Sequence, residues 1–476
     1  MIPRQGLLGL LASLCAVLVG CKTPHPASPN EVLLAETMSC GITPHPTLIA
    51  APLPVADQLA GEQSIKTLIQ FALGNNPGIQ SAQSRVDAAA ARVVQAGSLK
   101  DPMLEAKGWP FFPNTPQTAA GRMTVDMMVA QEIPWRGKRA LRAAAAQADV
   151  QAAHARLAAA ELQTIAEVKL AYFDLYYIQR AIEITEQDLT VLHELIVVAN
   201  SRYERVQTSQ QDVLRLLAER DSAEGELIKL RQKLTGLQAQ LASILHVSPE
   251  TPIRAMSDLP NVTTNYDLEL LYQQAIAVRP ELQAMMAEIG RNRRRIDLAE
   301  LQYYPDVTLK AGWGEITTNR AIAPSANGND NVGLGLSFNL PLYRDKLAAN
   351  VREAQSSTMA AARDYDQLKD ATYRDIRSLY ADALGQQELE VLLRESIIPK
   401  TEQALQVAIS GYQVGEVEFA DLLANWREVL QFHLSHLRLQ TQLRQTIAKL
   451  ERTVGGLPNT APAEPEQVPP PLAFSN

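Results

Sequence analysis

The sequence predicts a mixed α/β membrane protein in which a long α-helical coiled-coil barrel continues a transmembrane β-barrel, with four strands per protomer and twelve in a trimer. Three observations support this fold class. The chain contains an internal two-fold repeat, each repeat holds two alternating strands, and each pair of strands leads into a very long apolar stripe of helical period.

The composition of the 476 residues favours long helices over compact domains. Aromatic residues make up only 5% of the chain, while alanine, leucine and glutamine are abundant. The formal net charge is −8 and both signs are mixed along the chain. Because no basic field is available to hold phosphates, we expect no nucleic-acid partner.

Residues 1–20 are predicted to be a secretory signal peptide. Arg4 precedes an apolar run that ends in Leu18-Val19-Gly20-Cys21, which is a lipobox-like site of small residues. Cys21 would then begin the mature chain and serve as its lipid attachment site, carrying palmitate or a similar acyl group. The alternative is an ordinary signal peptide followed by an incidental cysteine.

Two segments without sustained periodicity flank the repeats. Residues 21–63 are rich in Pro, Ala, Ser and Thr, and they are predicted to be an extended, lipid-anchored tether. Residues 457–476 are predicted to be a proline-rich disordered tail.

Between these segments the chain repeats itself once, and the two repeats are predicted to span residues 64–260 and 261–456. Asn76-Pro77 in the first repeat matches Arg279-Pro280 in the second, roughly 200 residues later. Further matches follow at an offset that grows slowly along the chain: Pro102 with Pro305, Pro134 with Pro341, Tyr203 with Tyr412, and Asp212 with Asp421. Small loop insertions in a duplicated unit would leave this pattern, so we interpret the repeats as a duplication.

Each repeat is predicted to begin with a helix, at residues 64–98 and 266–300, that ends before a proline. Two strands separated by a polar loop follow, at 103–109 and 123–134 in the first repeat and at 306–316 and 332–341 in the second. The last strand alternates most clearly. Its two faces carry Leu334, Leu336, Phe338 and Leu340 on one side and Gly333, Gly335, Ser337 and Asn339 on the other.

An apolar face and a small, polar face suit a sheet that has lipid on one side and water on the other. An open four-stranded sheet would leave unpaired N–H and C=O groups at its two edges, and hydrocarbon cannot satisfy them. The sheet is therefore expected to close with copies of itself. Two copies give eight strands and an interior filled by side chains, whereas three give twelve strands and a water-filled bore, so we predict a homotrimer.

Each pair of strands is followed by a long helix, predicted at residues 137–205 and 344–410, and then by a shorter one at 212–245 and 421–453. The first long helix has an apolar stripe whose members are spaced by threes and fours: Leu162, Ile165, Val168, Tyr172, Leu175, Ile178 and Ile182. At a rise of 1.5 Å per residue such a helix is roughly 100 Å long. Closure of the sheets would gather these helices into a tube.

The strand-to-helix boundary of the first repeat reads Ile133-Pro134-Trp135-Arg136-Gly137-Lys138-Arg139. Pro134 ends the strand ladder and Trp135 occupies the place of an interfacial aromatic residue. The cations that follow are expected to face water or lipid head groups. The sequence therefore predicts a barrel-to-helix junction formed by Pro134, Trp135, Arg136 and Lys138 of the first repeat and Pro341 of the second.

These features resemble the TolC family of outer-membrane efflux proteins over about residues 64–455. The motifs are the lipobox, the two-fold repeat, Gln131-Glu132-Ile133-Pro134 before Gly137-Lys138-Arg139, and Tyr412-Gln413-Val414-Gly415 before Asp421-Leu422-Leu423. The resemblance implies a homotrimeric duct, anchored by lipid in the bacterial outer membrane, with its helical part in the periplasm. It also implies two partners, a periplasmic adaptor (membrane fusion) protein and an inner-membrane transporter of the RND type.

The Ile-Pro-Trp-Arg-Gly-Lys-Arg version of the junction is similar to that of the CzcC-like branch of the family. This narrower resemblance implies that the cargo is a heavy-metal cation. A drug-efflux duct or a type I protein-secretion duct is the alternative, because it shares every feature above and differs only in the partner pump.

Family members meet their adaptors at helix-turn-helix tips, and the resemblance assigns these tips to Val206, Gln207 and Thr208 and to Val414, Gly415 and Glu416. The first tip has Gln207 where the second has Gly415. We interpret Asp212 and Asp421 as helix N-caps. The alternative is a set of acidic rings, tripled by symmetry, that narrow the entrance and favour cations, formed by Asp212, Glu416, Glu418 and Asp421.

Other signals are assigned structural roles. His433 and His436 lie three residues apart, but no third ligand accompanies them, so no metal site is predicted. Met123 and Met127 are expected to share one strand face with Met128 on the other, which indicates packing rather than soft-metal binding. The sequence contains no nucleotide-binding loop or catalytic triad, so we predict neither an enzyme nor a cofactor.

A rival function of another class is that of a structural coiled-coil lipoprotein beneath the outer membrane. The alternating strands with glycine on one face argue against it. A spacer of this kind would show no ion conductance in a planar bilayer, whereas a duct would.

Overall fold

The computed structural model describes residues 57–109, 115–205, 208–259 and 266–456. The predicted signal peptide, Cys21, most of the tether, the tail, and Val206 and Gln207 of the first tip lie outside the described residues. No helix in the described ranges has the length and hydropathy needed to cross a membrane.

The last residues of the predicted tether belong to the folded part of the chain. A 3₁₀ turn at Asp57–Leu59 precedes strand β1 (Gly61–Gln63), which pairs in parallel with the strand Ile253–Ala255. Leu59 is buried in the core between helices. Residues 57–63 thus depart from the predicted extended tether, because they complete a small sheet and add apolar surface to the core.

The first repeat contains the following elements in chain order: α1 (Ile65–Asn75), α2 (Pro77–Gly97), β2 (Met103–Gly108), β3 (Gln117–Thr118), β4 (Gly121–Ile133), α3 (Lys138–Glu204), α4 (Gln210–Leu245) and β5 (Ile253–Ala255). The second repeat contains α5 (Leu268–Val278), α6 (Pro280–Leu301), β6 (Val307–Thr317), β7 (Asn331–Phe338), α7 (Arg344–Leu392), a π-helical segment (Leu393–Ile397), α8 (Ile398–Val414) and α9 (Phe419–Val454). The four longer strands lie within about three residues of their predicted bounds.

The first helix of each repeat is divided in two, so the prediction of single helices at 64–98 and 266–300 is wrong. Pro77 and Pro280 each begin a second helix, and the residue before each proline is extended, with ψ of 121° at Asn76 and 118° at Arg279. Proline disfavours helical geometry in the residue before it. Asn76 then caps α2 by accepting a hydrogen bond of 2.8 Å from Gly78 N.

The second long helix is interrupted, whereas the first is not. α3 runs for 67 residues without a proline, and it is therefore roughly 100 Å long. In the second repeat Pro399 lacks an N–H group, and its ring would clash with the carbonyl of Glu395 in a regular α-helix. The wider π-helical turn at Leu393–Ile397 accommodates this proline, and α8 extends to Val414 rather than Ser410.

The four longer strands form an antiparallel sheet in the order β2-β4-β6-β7, with β3 paired to the start of β4. β2 and β7 are the edges, and each pairs with only one neighbour among the described residues. The strands of the two repeats meet in the middle, where β4 pairs with β6 from Arg122 to Ile133.

α3 is the central helix of the bundle, and it packs against α2, α4, α6 and α9. One buried cluster surrounds Leu68, Leu175 and Leu241, nearer to the sheet. A second lies towards the far ends of the long helices and includes Leu192, Leu216, Leu422 and Trp426. These clusters hold the helices together along their length.

Candidate functional site

The sheet has one apolar face that the protomer leaves uncovered. Strand register places the following side chains on this face, and all of them are exposed: Leu104, Met127, Val129, Ile133, Leu309, Val332, Leu334, Leu336 and Phe338. Leu334 is the extreme case, with 88% of its surface accessible. A contiguous apolar surface of this kind needs a lipid or protein environment.

The opposite face of the same sheet is polar and small. Its positions are Glu105, Lys107, Asp126, Met128, Lys310, Gly312, Gly314, Gly333, Gly335 and Ser337. Lys107 forms an ion pair of 2.8 Å with Glu105, and both side chains are about half exposed. The sheet therefore separates an apolar side from a hydrated one.

A β-bulge changes the orientation of one methionine. The register between β4 and β6 shifts between Met123 and Val125, so that Met123 pairs with Ile316 while Val125 pairs with Glu315. Met123 therefore shares the polar face with Met128 and lies opposite Met127. The prediction that Met123 and Met127 share a face is wrong, because the bulge inserts one extra residue and breaks the two-residue alternation.

The junction after β4 is organised around Lys138 and Asp306. Lys138 Nζ donates hydrogen bonds to Asp306 Oδ1 at 2.8 Å and to the Tyr304 carbonyl at 2.9 Å, and the lysine side chain is only 4% exposed. The Trp135 N–H also donates to Asp306 Oδ1, at 2.7 Å. The prediction that Lys138 faces water or head groups is wrong, because a carboxylate from the other repeat neutralises it inside the protein.

The other junction residues surround this ion pair. The Trp135 ring stacks on Tyr304, with 5.2 Å between ring centroids, and Pro134 is buried. Arg136 is exposed, as predicted. Gly137 has a φ of 95°, a backbone conformation that favours glycine, and it directs the chain from the strand into α3.

Asp306 belongs to the junction through its contacts with Lys138 and Trp135, and the sequence did not identify it. Burial raises the pKa of its carboxyl, but hydrogen bonds from Lys138 and Trp135 and the charges of Lys138 and Arg142 outweigh burial, so the pKa lies below its usual value. The available signal was an acidic residue placed directly after Pro305 at the start of a strand. Its match in the first repeat is Met103, so the repeat alone does not reveal the pair.

The second junction, after β7, is open. Pro341 is half-buried, but Leu342 and Tyr343, which follow it in the chain, are 72% and 80% exposed. The Arg344 guanidinium lies over the Tyr303 ring, 5.5 Å from its centroid. One protomer therefore completes the first junction and leaves the second uncovered.

The tip of the second repeat is a tight glycine turn. Gly415 has a φ of 89°, and it and Glu416 both donate to the Gly411 carbonyl, at 2.9 and 2.8 Å. A side chain at Gly411 would collide with Val417. Val414 and Glu416 are exposed, so this turn presents side chains to solvent.

The two tips pack together through Tyr412, which is only 3% exposed, whereas its repeat counterpart Tyr203 is 45% exposed. The Arg202 guanidinium lies over the Tyr412 ring at 4.7 Å, and Thr208 Oγ1 is 3.5 Å from Tyr412 Oη. Of the first predicted tip, Thr208 is described, whereas Val206 and Gln207 are not.

The four predicted ring acids lie near the tips, but one protomer does not bring them together. Glu416, Glu418 and Asp421 are exposed, and Asp212 accepts a hydrogen bond from Thr208. The N-cap assignment of Asp212 and Asp421 is wrong, because α4 and α9 begin earlier and their N-cap residues are Ser209 and Glu418. Both aspartates lie in the first turn, where a negative charge still favours the helix dipole.

The two histidines of α9 each pair with a different glutamate. His433 Nε2 is 3.0 Å from Glu402 Oε1, and His436 Nε2 is 3.0 Å from Glu390 Oε1. No cluster of three or more metal-ligating side chains is present in the described part of the chain.

The chain matches a known family over most of its length. The family profile described as "Outer membrane efflux protein" matches residues 68–246 and 271–456, one segment in each repeat. Among curated proteins, the cobalt-zinc-cadmium resistance protein CzcC of Cupriavidus metallidurans is 22% identical over 405 residues, covering 84% of this chain and 91% of CzcC. Nodulation protein T of Rhizobium leguminosarum bv. viciae is 24% identical over 457 residues, covering 88% and 91%.

A solved structure shares the fold. The crystal structure of the outer membrane protein VceC from Vibrio cholerae superposes with a TM-score of 0.70 at 22% sequence identity. The superposition covers 82% of this chain and 96% of VceC.

Proposed function

Because the chain belongs to the outer membrane efflux protein family, as the resemblance of its motifs predicted, we propose that it is the exit duct of a tripartite pump for heavy-metal cations. The observation that best supports the proposal of a duct is the sheet with one exposed apolar face and one polar face. Such a sheet separates lipid from an aqueous path. The duct itself is passive, and its energy comes from the inner-membrane partner.

The conducting form is a homotrimer with a twelve-stranded β-barrel. The edges β2 and β7 carry backbone groups that need partners inside a bilayer. Three four-stranded sheets joined edge to edge satisfy them and leave room for water. The junction residues Pro134, Trp135, Arg136, Lys138 and Pro341 then lie where the barrel meets the periplasmic helices.

Cys21 anchors the chain to the outer membrane through an acyl chain. The lipobox-like sequence before it supports this assignment. Mass spectrometry of the mature N-terminal peptide tests it. A peptide that begins at an acylated Cys21 is expected, and an unmodified peptide that begins elsewhere would contradict the anchor.

The adaptor docks at the two tips, through Val206, Gln207, Thr208, Val414, Gly415 and Glu416. The exposed side chains of Val414 and Glu416 beside the fixed turn at Gly415 support the second tip. The two tips differ in sequence, so the adaptor meets two different surfaces around the ring.

Asp212, Glu416, Glu418 and Asp421 form acidic rings at the entrance when three copies assemble. The exposure of three of them near the tip supports this proposal. A ring of carboxylates favours cations over anions. Replacement by Asn or Gln is therefore expected to reduce cation selectivity in planar bilayers, and unchanged selectivity would leave these acids with a purely structural role.

The cargo is the least constrained part of the proposal. Similarity to CzcC, whose name describes cobalt, zinc and cadmium resistance, supports a metal cation, together with the resemblance of the junction motif. Similarity to nodulation protein T leaves other cargoes as outcomes of the test.

The test is growth of a strain lacking this gene on graded zinc, cobalt, cadmium and copper, beside a lipophilic dye and a detergent. The matched control is the same strain carrying the wild-type gene or a Leu334→Lys variant, which places a charge on the lipid face. Selective metal sensitivity that only the wild-type gene reverses supports metal export. Sensitivity to dye and detergent alone would overturn the metal cargo and indicate a drug duct.

A further inference from the structure

A carboxyl group lies buried between the long helices, away from the junction, the tips and the polar face of the sheet. Asp188 is on α3, one turn before Leu192 of the second apolar cluster, and it is only 8% exposed. Its Oδ2 has no hydrogen-bond partner among the described residues. A buried charge without a partner is unfavourable, so this position is suited to a neutral carboxyl.

The group that faces Asp188 from α9 is Trp426. This indole is 4% exposed, and its Nε1 also lacks a hydrogen-bond partner of good geometry in the described chain. The indole is still close enough to lower the pKa of Asp188. At this level of the contact between α3 and α9, an indole N–H thus lies beside a buried carboxyl without a hydrogen bond of good geometry between them.

The charged group that acts on Asp188 from α4 is Glu219. Its carboxylate is paired with Arg427 of α9, next to Trp426 in sequence. α8 contributes uncharged Ala408 and Tyr412 to the same apolar cluster. On α3 itself, the Thr185 hydroxyl is occupied by a hydrogen bond of 2.8 Å to the Ala181 carbonyl.

Burial raises the pKa of Asp188 to about 6, with a further contribution from the charge of Glu219 that the indole of Trp426 partly offsets. The folded pKa is thus above the ordinary value of 3.8. Neutral Asp188 therefore favours the packed helices at low pH, and this contribution is lost as the pH rises through about 6.

Solvent reaches the edge of this contact through a groove of about 760 Å³ between α4 and α9. Trp426, Glu219 and Arg427 all line it. Asp188 does not line the groove itself, so a proton reaches its carboxyl only when a neighbouring side chain moves.

We propose that Asp188 makes the packing of α9 against α3 depend on protonation, so that the helices stay together when its carboxyl is neutral and separate towards the tips when it is ionised. The physical reason is that ionisation leaves a charge in an apolar interface where the indole of Trp426 offsets burial only in part, and separation exposes that charge to water. The packing change stands on these contacts alone. Its consequence, a periplasmic end that opens above about pH 6, rests on the proposed duct.

The test is the fluorescence of Trp426 in the purified full-length protein, taken as wild type minus Trp426→Phe, between pH 5 and pH 7.5. The wild type is expected to show one transition with a midpoint near pH 6. Asp188→Asn should abolish the transition, and Asp188→Glu, which can still titrate, should retain one. Glu219→Gln should lower the midpoint, because it removes the charge that raises the pKa.

The matched control is Glu194→Gln, an exposed acid on the same helix, which should leave the midpoint unchanged. A flat wild-type signal, or a transition that persists in Asp188→Asn, would overturn the proposal. Conductance in planar bilayers then tests the consequence, with at least a twofold rise from pH 5 to pH 7.5 expected in wild type and none in Asp188→Asn. The fluorescence needs no cargo, so its outcome is separate from that of the growth test.

Discussion

The two strand-to-helix junctions occupy equivalent positions in the repeats, yet one protomer completes only the first. There Lys138 is buried against Asp306 and Trp135 stacks on Tyr304. At the second junction Leu342 and Tyr343 are exposed. The difference follows from connectivity, because the first junction combines the end of the first hairpin, after β4, with the start of the second hairpin, before β6, within one chain.

By the same rule, the second junction, after β7, would need the start of the first hairpin from another copy. That start is the region after Pro102, where Met103 is 69% exposed at the edge of the sheet. In a closed ring of copies the repeats alternate, so the two uncovered surfaces would meet. Apolar side chains exposed in one protomer can thus mark a contact between copies, and the first junction shows within one chain how such a contact is packed.

The largest expected effect is the loss of the first junction in Lys138→Ala. This variant leaves Asp306 and its hydrogen-bonding network without a buried cation, which costs on the order of 3–5 kcal/mol. The midpoint of denaturant unfolding of the purified protein measures it. Lys346→Ala, at an exposed lysine of the second junction, is the control and should leave the midpoint unchanged. Equal midpoints for the two variants would contradict the difference between the junctions.

A smaller effect is expected at the second junction, and it should appear in assembly rather than in folding. Full burial of a leucine side chain contributes about 1.5–3 kcal/mol, so Leu342→Ala should weaken the proposed trimer while leaving helix content unchanged. Sedimentation against protein concentration measures the first and circular dichroism the second. Ile322→Ala, an exposed apolar residue in the loop between β6 and β7, is the control. An unaltered trimer would show that Leu342 lies outside the interface.

The tips also differ between the two repeats, because among the described residues only the second repeat has a glycine turn at its tip. Gly415→Ala forces a side chain into a left-handed conformation and should destabilise the protein by about 1–2 kcal/mol. Gly225→Ala, inside α4 with open space around it, should instead stabilise by about 0.5–1 kcal/mol. Thermal unfolding of both variants decides this, and a shift of the same sign would exclude the proposed role of the turn.

The sequence predicts the strands and long helices because their signals are local. Alternation of apolar and small residues, and the prolines before each hairpin, determine where Met103–Gly108 and Asn331–Phe338 form. It does not predict the burial of Lys138, because the partner Asp306 lies 168 residues away in the chain. The sequence also does not predict the bulge beside Met123. One inserted residue moves the side chains of β4 that precede it to the opposite face of the sheet.

The middle of the bundle shows the same limit. At the offset that relates Tyr203 to Tyr412, buried Ala181 and Leu227 of the first repeat correspond to Glu390 and His436 of the second. The repeat predicts that both pairs lie at similar depth. It cannot predict that the two positions are apolar in the first repeat and hold a hydrogen-bonded acid and base in the second, because the side chain that fits at each position depends on its neighbours.

The smallest expected effect tests this last difference through pH. Burial raises the pKa of Glu390, but hydrogen bonds from His436 and Gln440 and the charges of Arg394 and His436 outweigh it, so the pKa lies below its usual value. A carboxyl whose pKa is depressed by folding stabilises the protein above its unfolded pKa. That contribution is lost as the pH falls through the folded value.

The thermal unfolding temperature of the wild type should therefore fall more steeply below about pH 4.5 than that of Glu390→Gln, which has no carboxyl to protonate at this position. Glu402→Gln, which removes the more exposed partner of His433, is the control and should follow the wild-type slope. The first repeat has Ala181 and Leu227 at the two positions that Glu390 and His436 occupy in the second. A pH slope unaffected by Glu390→Gln would therefore mean that this substitution does not distinguish the two repeats energetically.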